Sequence, residues 1–184
     1  MDAQENLEML MVLYQEGDFA AATALIRSIS PNLYRFFAVQ EVSRGEADDL
    51  LQETWLRIHK VRHTYRAGEP ALAWFYAIAR HVRVDHYRKV MRTTIHQREL
   101  SEIPALTTAA PPTGQRDELE ALLAPLSSGE REVVEMLKVE GLSLEEVARA
   151  TSSTVGSVKQ KAHRAYKKLR EAFGSSKTKT EAPR

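Results

Sequence analysis

The sequence predicts an almost wholly helical protein built from two small domains. Its apolar residues recur mainly at helical spacing rather than in alternation, and only 8 glycines and 7 prolines interrupt its 184 residues. The stretch from Thr93 to Arg116 is different, because three prolines and five threonines with little apolar periodicity are typical of a linker. We therefore expect an all-α fold of two helical domains, over 1–92 and 117–173, joined by a flexible linker and followed by a disordered tail at 174–184.

The N-terminal residues contain amphipathic stretches that predict a run of short helices. Apolar residues from Leu7 to Tyr14 begin one helix, and the same spacing recurs over 19–29 and over 32–42. Pro31 suits the first turn of a helix, where a missing N–H loses no partner. We therefore predict that one helix ends before Pro31 and that another begins there.

Two further helices are predicted in the same domain. Ser43 and Glu46 have the spacing of a capping box, which predicts that a helix starts there. Gly68 and Pro70 end this pattern, and apolar spacing then predicts a helix over 71–92. The expected inward faces are Ala47, Leu51, Thr54, Trp55, Ile58 and Val61 on the first helix, and Trp74, Phe75, Ile78, Ala79 and Val82 on the second.

The stretch ADDLLQETWLRIHK, residues 47–60, places acidic side chains away from its apolar face. Carboxylates that point outward suit contact with another protein. A di-metal site in a helical bundle instead needs Glu-x-x-His pairs, and the sequence contains none. We expect no metal or catalytic role for the outward residues of this helix, which are Asp48, Asp49, Gln52, Glu53 and Arg57.

The second domain carries the pattern of a helix-turn-helix. Ser127 with Glu130 and Ser143 with Glu146 are capping-box pairs that predict two helix starts. The short helix LEEVARAT, the turn SST and a long helix from Val155 then follow in the order of this motif, whose second helix enters the major groove of DNA. An ordinary helical hairpin with a solvated basic face is the alternative.

The long helix has an inward and an outward face. The inward residues are Val158, Ala162, Ala165 and Leu169. The outward residues are Gln160, Lys161, Arg164, Lys167 and Lys168.

The charges are sorted along the chain, although the net charge is only +1. Residues 77–92 carry five Lys or Arg residues against a single acid, and residues 155–170 carry six and no acid. Two cationic helices with an acidic helix before them indicate two polyanion contacts and one different partner. The chain has no cysteine, no signal-peptide pattern and no apolar stretch long enough to span a membrane, so we expect a cytoplasmic protein.

Two blocks of the sequence resemble the bacterial extracytoplasmic-function (ECF) sigma factors of the sigma-70 family. The block LYRFFAVQEVSRGEADDLLQETWLRIHKVRHTYRAGEPALAWFYAIARHVRVDHYRK is similar to their region 2. The block LSSGEREVVEMLKVEGLSLEEVARATSSTVGSVKQKAHRAYKKLRE is similar to their promoter-reading region 4. The resemblance runs from about Gly17 to Glu171, and a linker takes the place where larger sigma factors have a third domain.

This resemblance implies a function and a set of contact residues. The protein would bind core RNA polymerase, direct it to promoters and assist promoter opening, with promoter DNA and a cognate anti-sigma factor as further partners. The expected polymerase-docking residues are Asp48, Asp49, Gln52, Glu53 and Arg57. Those for the downstream promoter element are Tyr65, Arg66, Trp74, Arg80, His81, Asp85 and Arg88, and those for the upstream element are Ser157, Lys159, Gln160, Lys161, His163 and Arg164.

The sequence departs from the family pattern where promoter bases would be read. His81 stands where family members often have Asn, and Gln160 with Lys161 replaces a commoner Ser-Arg pair, so the promoter sequence is expected to be unusual. Tyr65 lies in the Gly/Pro-containing loop, and we expect it to be freer than Trp74 to meet a flipped base.

We expect a protein that is not an enzyme and that has no cofactor, no metal, no catalytic residues and no segment inserted in a membrane. Two alternatives remain open at this point. A helix-turn-helix regulator that is not a polymerase subunit accounts for the last third of the chain, and a helical interaction module accounts for the amphipathic helices alone. Co-purification with core polymerase distinguishes all three.

Overall fold

The structure, a computed structural model, describes residues 3–40, 44–100 and 123–177. Within these ranges every regular element is a helix, which confirms the predicted all-α class. The N-terminal unit contains α1 (Ala3–Gln15), α2 (Phe19–Ala38), α3 (Arg44–Val61), a 3₁₀ turn (Arg62–Thr64) and α4 (Ala71–Leu100). The C-terminal unit contains α5 (Ser128–Lys138), α6 (Leu144–Ala150) and α7 (Val155–Lys177).

The helix bounds differ from the predicted ones in two places near the proposed linker and tail. α4 continues to Leu100, eight residues beyond the predicted end at Arg92. α7 continues to Lys177 and so enters the stretch predicted to be a disordered tail. Most of the predicted linker (101–116) and the end of the tail (178–184) lie outside the described residues, and so does Ser43 of the predicted capping box. The predicted division into domains stays a prediction.

The prediction that a new helix begins at Pro31 is wrong, because α2 passes through this residue without a break. A proline inside a helix removes one backbone hydrogen bond and usually costs about 3 kcal/mol or more. The compensation is burial: α2 presents a continuous apolar stripe on both sides of Pro31, each member of which is no more than 3 % exposed. The stripe consists of Ala21, Leu25, Ile29, Leu33, Phe36 and Phe37.

Aromatic rings pack at the centre of the N-terminal unit, where α2 meets α4. Phe36 lies edge-on to Phe37 and to Tyr76, with ring centroids 5.5 and 5.3 Å apart. All three side chains are fully buried. These contacts fix α4 against α2 and leave the opposite side of α4 available for other contacts.

The C-terminal unit has the short helix, tight turn and long helix predicted from the sequence. At the start of α6, the Ser143 N–H donates to Glu146 Oε2 at 2.7 Å, and the Glu146 N–H donates to Ser143 Oγ at 3.2 Å, so the predicted capping box is formed. In the turn between the helices Ser152 has a φ of 50°, a left-handed conformation that short polar residues tolerate better than bulky ones. Val158 and Ala165 of α7 are fully buried, as predicted.

The two units are in contact, since α6 packs against α4. Ion pairs reinforce this contact, and their acids come mainly from the C-terminal unit. Arg80 and Arg83 of α4 both approach Glu132 Oε1, at 3.2 and 3.1 Å. Arg35 of α2 pairs with Glu140 at 2.8 Å.

Candidate protein and nucleic-acid interfaces

The outward residues of α3 form an exposed acidic surface, as the sequence predicts. Asp48, Asp49, Gln52 and Glu53 are all exposed, while Thr54 between them and the core is fully buried. The Thr54 hydroxyl donates to the Leu50 carbonyl at 2.7 Å, which satisfies this polar side chain inside the helix. The acidic surface therefore belongs to a helix whose opposite face is packed in the core.

Arg57, the fifth predicted docking residue, is not an isolated cation. It pairs with Asp85 of α4 at 2.9 Å and, more weakly, with Glu53 at 3.6 Å. The hydrogen bond from Arg57 lowers the pKa of Asp85. Arg57, predicted to contact polymerase, and Asp85, predicted to contact DNA, thus form an ion pair between α3 and α4.

Tyr65 is held in the loop before α4, and the expectation that it is freer than Trp74 is wrong. Its side chain is only 4 % exposed, its hydroxyl donates to the Glu69 carbonyl, and its ring lies edge-on to Trp74 with centroids 5.7 Å apart. Burial, with the negative charges of Glu8 and Glu69, raises the pKa of Tyr65 to about 12. The glycine and proline of this loop suggested that Tyr65 would be free. In the structure its ring instead turns inward and packs against α4.

A cavity of about 220 Å³ opens beside Tyr65, where the loop meets the first turns of α4. Trp74 and the exposed Arg66 line it together with Ala77. The C-terminal unit contributes one lining residue, Arg149 of α6, which pairs with Glu69. The cavity brings an aromatic face and cations together, which are the groups that stack bases and neutralise phosphates.

The predicted downstream-element residues of α4 fall into two environments. His81, Asp85 and Arg88 are exposed, and the His81 ring Nδ1 lies 2.7 Å from the Ala77 carbonyl oxygen. Arg80 instead is partly covered by Glu132 of the C-terminal unit. The expected DNA surface of α4 is therefore exposed at Asp85 and Arg88, whereas Arg80, toward the start of the helix, is partly covered by a carboxylate.

The predicted upstream-element residues lie in the first part of α7, around the surface that its buried residues Val158, Ala162 and Ala165 leave outward. Lys159, Gln160, His163 and Arg164 are exposed, and Ser157 and Lys161 are half-buried. The Ser157 N–H donates to Thr154 Oγ1 at 3.2 Å and so helps to start the helix. Lys168 belongs to a different environment, because its ammonium group lies 2.7 Å from Glu130.

Two features were not predicted from the sequence: one groove on the surface and one set of buried acids. A groove of about 560 Å³ runs beside Gln52, with Ile26, Trp55 and Leu56 in its wall. The second feature is a set of acids on and just after α5, namely Glu132, Glu135 and Glu140, whose side chains are buried between the two units. The only sequence signal for the acids is their density in EREVVEMLKVEG, which also suits an ordinary solvated helix.

Comparison with known families and proteins matches both halves of the chain. The family model for sigma-70 region 2 matches residues 25–93, and the model for sigma-70 region 4 matches residues 116–169. The chain is 32 % identical to the ECF RNA polymerase sigma factor SigF of Caulobacter vibrioides, over 92 % of this chain and 95 % of SigF. It is also 32 % identical to the RNA polymerase sigma factor CarQ of Myxococcus xanthus, over 89 % and 95 %.

Solved structures support the fold. CnrH, in complex with the cytosolic domain of CnrY, superposes with a TM-score of 0.71 at 19 % identity, over 92 % of this chain and 98 % of CnrH. The sigma factor RpoE of Bartonella quintana, in complex with the anti-sigma factor NepR, gives 0.68 at 22 % identity, over 83 % and 96 %. None of the helices in the described ranges combines the length and the apolar character that crossing a membrane requires. With both regions matched in order and a relative covered almost end to end, the chain belongs to the ECF sigma factors of the sigma-70 family.

Proposed function

We propose that this protein binds core RNA polymerase, directs it to promoters through both helical units and assists in opening the DNA. The observation that carries the proposal is the separation of two surfaces of opposite charge: an exposed acidic one on α3 and an exposed basic one on α7. A protein that joins a polymerase to a promoter needs both. It acts by binding rather than by catalysis, and we place it in the cytoplasm with the polymerase.

The acidic surface of α3 is the proposed polymerase contact. Replacing Asp49 and Glu53 by Lys reverses two exposed charges and leaves the buried face of α3 unchanged. Because like charges at an interface oppose association, we expect affinity for core polymerase to fall by about tenfold or more. A titration of fluorescent protein with core polymerase measures this, and a thermal melt should be unchanged.

The control for this experiment is Glu16→Lys with Glu145→Lys, which changes the net charge equally at two exposed acids away from the outward face of α3. Equal affinity of the Asp49/Glu53 variant and the wild type would reject the docking surface. Failure of the wild-type protein itself to co-purify with core polymerase would favour a helix-turn-helix regulator instead.

The basic face of α7 is the proposed contact with the upstream promoter element. Arg164 is exposed and suits a base edge, whereas the half-buried Lys161 suits a phosphate. We expect Arg164→Ala to weaken binding in a sequence-dependent way. Lys161→Ala should weaken all sequences about equally and reduce the slope of log K against log salt by roughly one.

Anisotropy titrations of holoenzyme on upstream-element duplexes at several salt concentrations measure both effects. Lys60→Ala is the matched control, because Lys60 is an exposed lysine at the end of α3. An unchanged salt slope in Lys161→Ala would remove this residue from the DNA contact.

For the downstream element, the proposal assigns Trp74 and Arg66 to the captured strand, since both line the cavity in front of α4. Tyr65 supports the floor of that cavity through its contact with Trp74. The exposed Arg88, His81 and Asp85 continue the surface along the helix. A cognate anti-sigma factor completes the proposed set of partners, and co-purification from cells under non-inducing conditions tests for it.

A further inference from the structure

We propose that Gln15 is a positioning residue for strand capture, because it fixes the loop before α4 in the conformation that forms the cavity beside Trp74. Gln15 is the last residue of α1 and is half-buried. The family model for region 2 begins at residue 25, so Gln15 lies outside the matched part of the chain. The inference rests on the proposed function, since that function assigns the cavity to the captured strand.

The Gln15 amide holds the backbone of this loop at two points. Its Nε2 group donates to the Arg62 carbonyl at 2.7 Å and to the Tyr65 carbonyl at 2.9 Å. The two carbonyls stand at the ends of a tight bend: the 3₁₀ turn begins at Arg62, and Tyr65 after it returns to extended backbone with φ −67° and ψ 136°. One side chain therefore fixes both ends of the bend.

The direction of these hydrogen bonds requires a donor at residue 15. Carbonyl oxygens only accept, so the NH₂ end of the amide must face them. An ionised carboxylate of the same shape offers only acceptors and would bring negative charge against both carbonyls. A side chain without a donor would leave the two carbonyls without these hydrogen bonds. The loop is thus sensitive to the chemistry of residue 15 as well as to its size.

The residue before Gln15 holds the same bend from the side. The Tyr14 hydroxyl lies 2.9 Å from His59 Nδ1, and the Arg62 guanidinium lies over the Tyr14 ring at 5.7 Å from its centroid. Gly17 then ends the helix with a φ of 94°, and its N–H donates to the Tyr14 carbonyl at 3.1 Å. The end of α1 is therefore itself fixed, which lets it hold the loop in place.

The part of the loop that Gln15 holds forms the floor and one wall of the cavity. Residues 64–66 line the cavity, and the Tyr65 ring lies edge-on to Trp74. The Tyr65 hydroxyl donates to the Glu69 carbonyl inside the same loop, so that bond sets the shape of the loop. The bonds from Gln15 instead tie the loop to α1. A loop released from α1 would have to be ordered again when a base enters, and this cost would reduce the gain from stacking.

The test uses holoenzyme and a fluorescent single strand that carries the downstream element of a promoter transcribed in vitro, with an abasic site placed at each position in turn. Stacking of one base changes affinity by about tenfold, so wild type should bind the strand that is abasic at the captured position about tenfold more weakly. We expect Gln15→Glu and Gln15→Met to reduce this ratio to about twofold or less. Affinity for the abasic strand should stay unchanged.

Two further variants separate the hydrogen-bond donor from size and charge. Gln15→Lys keeps N–H donors on a side chain long enough to reach both carbonyls, and we expect it to retain most of the ratio between intact and abasic strands. Arg27→Gln, at an exposed position of α2, lowers the net charge as Gln15→Glu does and should behave as wild type. If Gln15→Glu failed to fold, the comparison of Met with Lys at this position would still test the donor.

Hydrogen exchange in the free protein tests the loop without DNA. The Tyr65 N–H donates to the Arg62 carbonyl and the Glu69 N–H to the Arg66 carbonyl, both at 3.1 Å. A loop released from α1 should open more often. We expect these amides to exchange about fivefold faster in Gln15→Glu and Gln15→Met than in wild type, with exchange in α2 unchanged.

The possible results distinguish this inference from the proposed function. Unchanged exchange in both variants, an unchanged ratio between intact and abasic strands, or equal weakening of both strands would overturn the role of Gln15. A wild-type holoenzyme that bound every abasic strand as tightly as the intact one would reject base capture at the cavity, and this inference with it. The exchange rates would then still show whether Gln15 holds the loop.

Discussion

Phe36→Ala is expected to lower the free energy of unfolding by about 3–5 kcal/mol, the usual cost of removing a fully buried phenylalanine. Phe36 has no exposed surface, packs edge-on against Phe37 and Tyr76 and lies under the Arg83 guanidinium at 5.8 Å. The cavity left by Ala therefore removes contacts between α2 and α4 and one cation–π contact. Urea unfolding followed by circular dichroism measures the loss.

Phe19→Ala is the matched control, since it makes the same chemical change at the other end of α2. The Phe19 side chain is 88 % exposed, so its removal should change stability by no more than about 0.5 kcal/mol. Equal losses in the two variants would contradict the packing described for this core.

Glu135→Gln is expected to make the protein more stable at and above neutral pH and to leave its stability at pH 4 nearly unchanged. Burial, with the nearby charge of Glu140, raises the pKa of Glu135 from its ordinary 4.5 to about 8, against the opposing effects of Arg35 and Arg83. The folded protein therefore holds a proton that the unfolded chain releases. Stability is greatest below about pH 4.5 and is lost as pH rises toward 8, by on the order of 4 kcal/mol.

Glutamine has the shape of the protonated acid and cannot ionise. The variant therefore does not lose folding stability at this site as the pH rises. Melting temperatures of variant and wild type should coincide near pH 4 and diverge up to about pH 8, with the variant higher. Glu145→Gln, at an exposed acid, should follow the wild-type curve throughout. Parallel curves for Glu135→Gln and wild type would mean that Glu135 is already charged at neutral pH.

The sequence predicted those features that depend on local spacing. The outward acids of α3, the buried stripe of α7 and the capping box of Ser143 with Glu146 each follow from the period of one helix and need no knowledge of its neighbours. The family was predicted differently, from the resemblance of two blocks in order to sigma regions 2 and 4, and the family models confirm it.

Features that depend on contact between distant segments could not be predicted in this way. Pro31 suits a helix start by local rules, yet α2 continues through it with a buried apolar stripe on both sides. Tyr65 lies in a loop by local rules, yet its ring is held against Trp74 of the next helix. The acids of α5 are ordinary in sequence and become buried only because α4 and α2 supply arginines.

The ion pair between Arg57 and Asp85 would make the two proposed binding faces of this protein thermodynamically dependent on each other. One guanidinium serves both α3, where polymerase is proposed to bind, and α4, where the promoter is proposed to bind. A polymerase group that paired with Arg57 would leave Asp85 without its hydrogen-bonded cation, with Arg88 still nearby. By linkage, DNA bound at this surface would then change the affinity for polymerase by the same factor. The affinity for polymerase and the preference among promoters would then both depend on the charge of one side chain, Arg57.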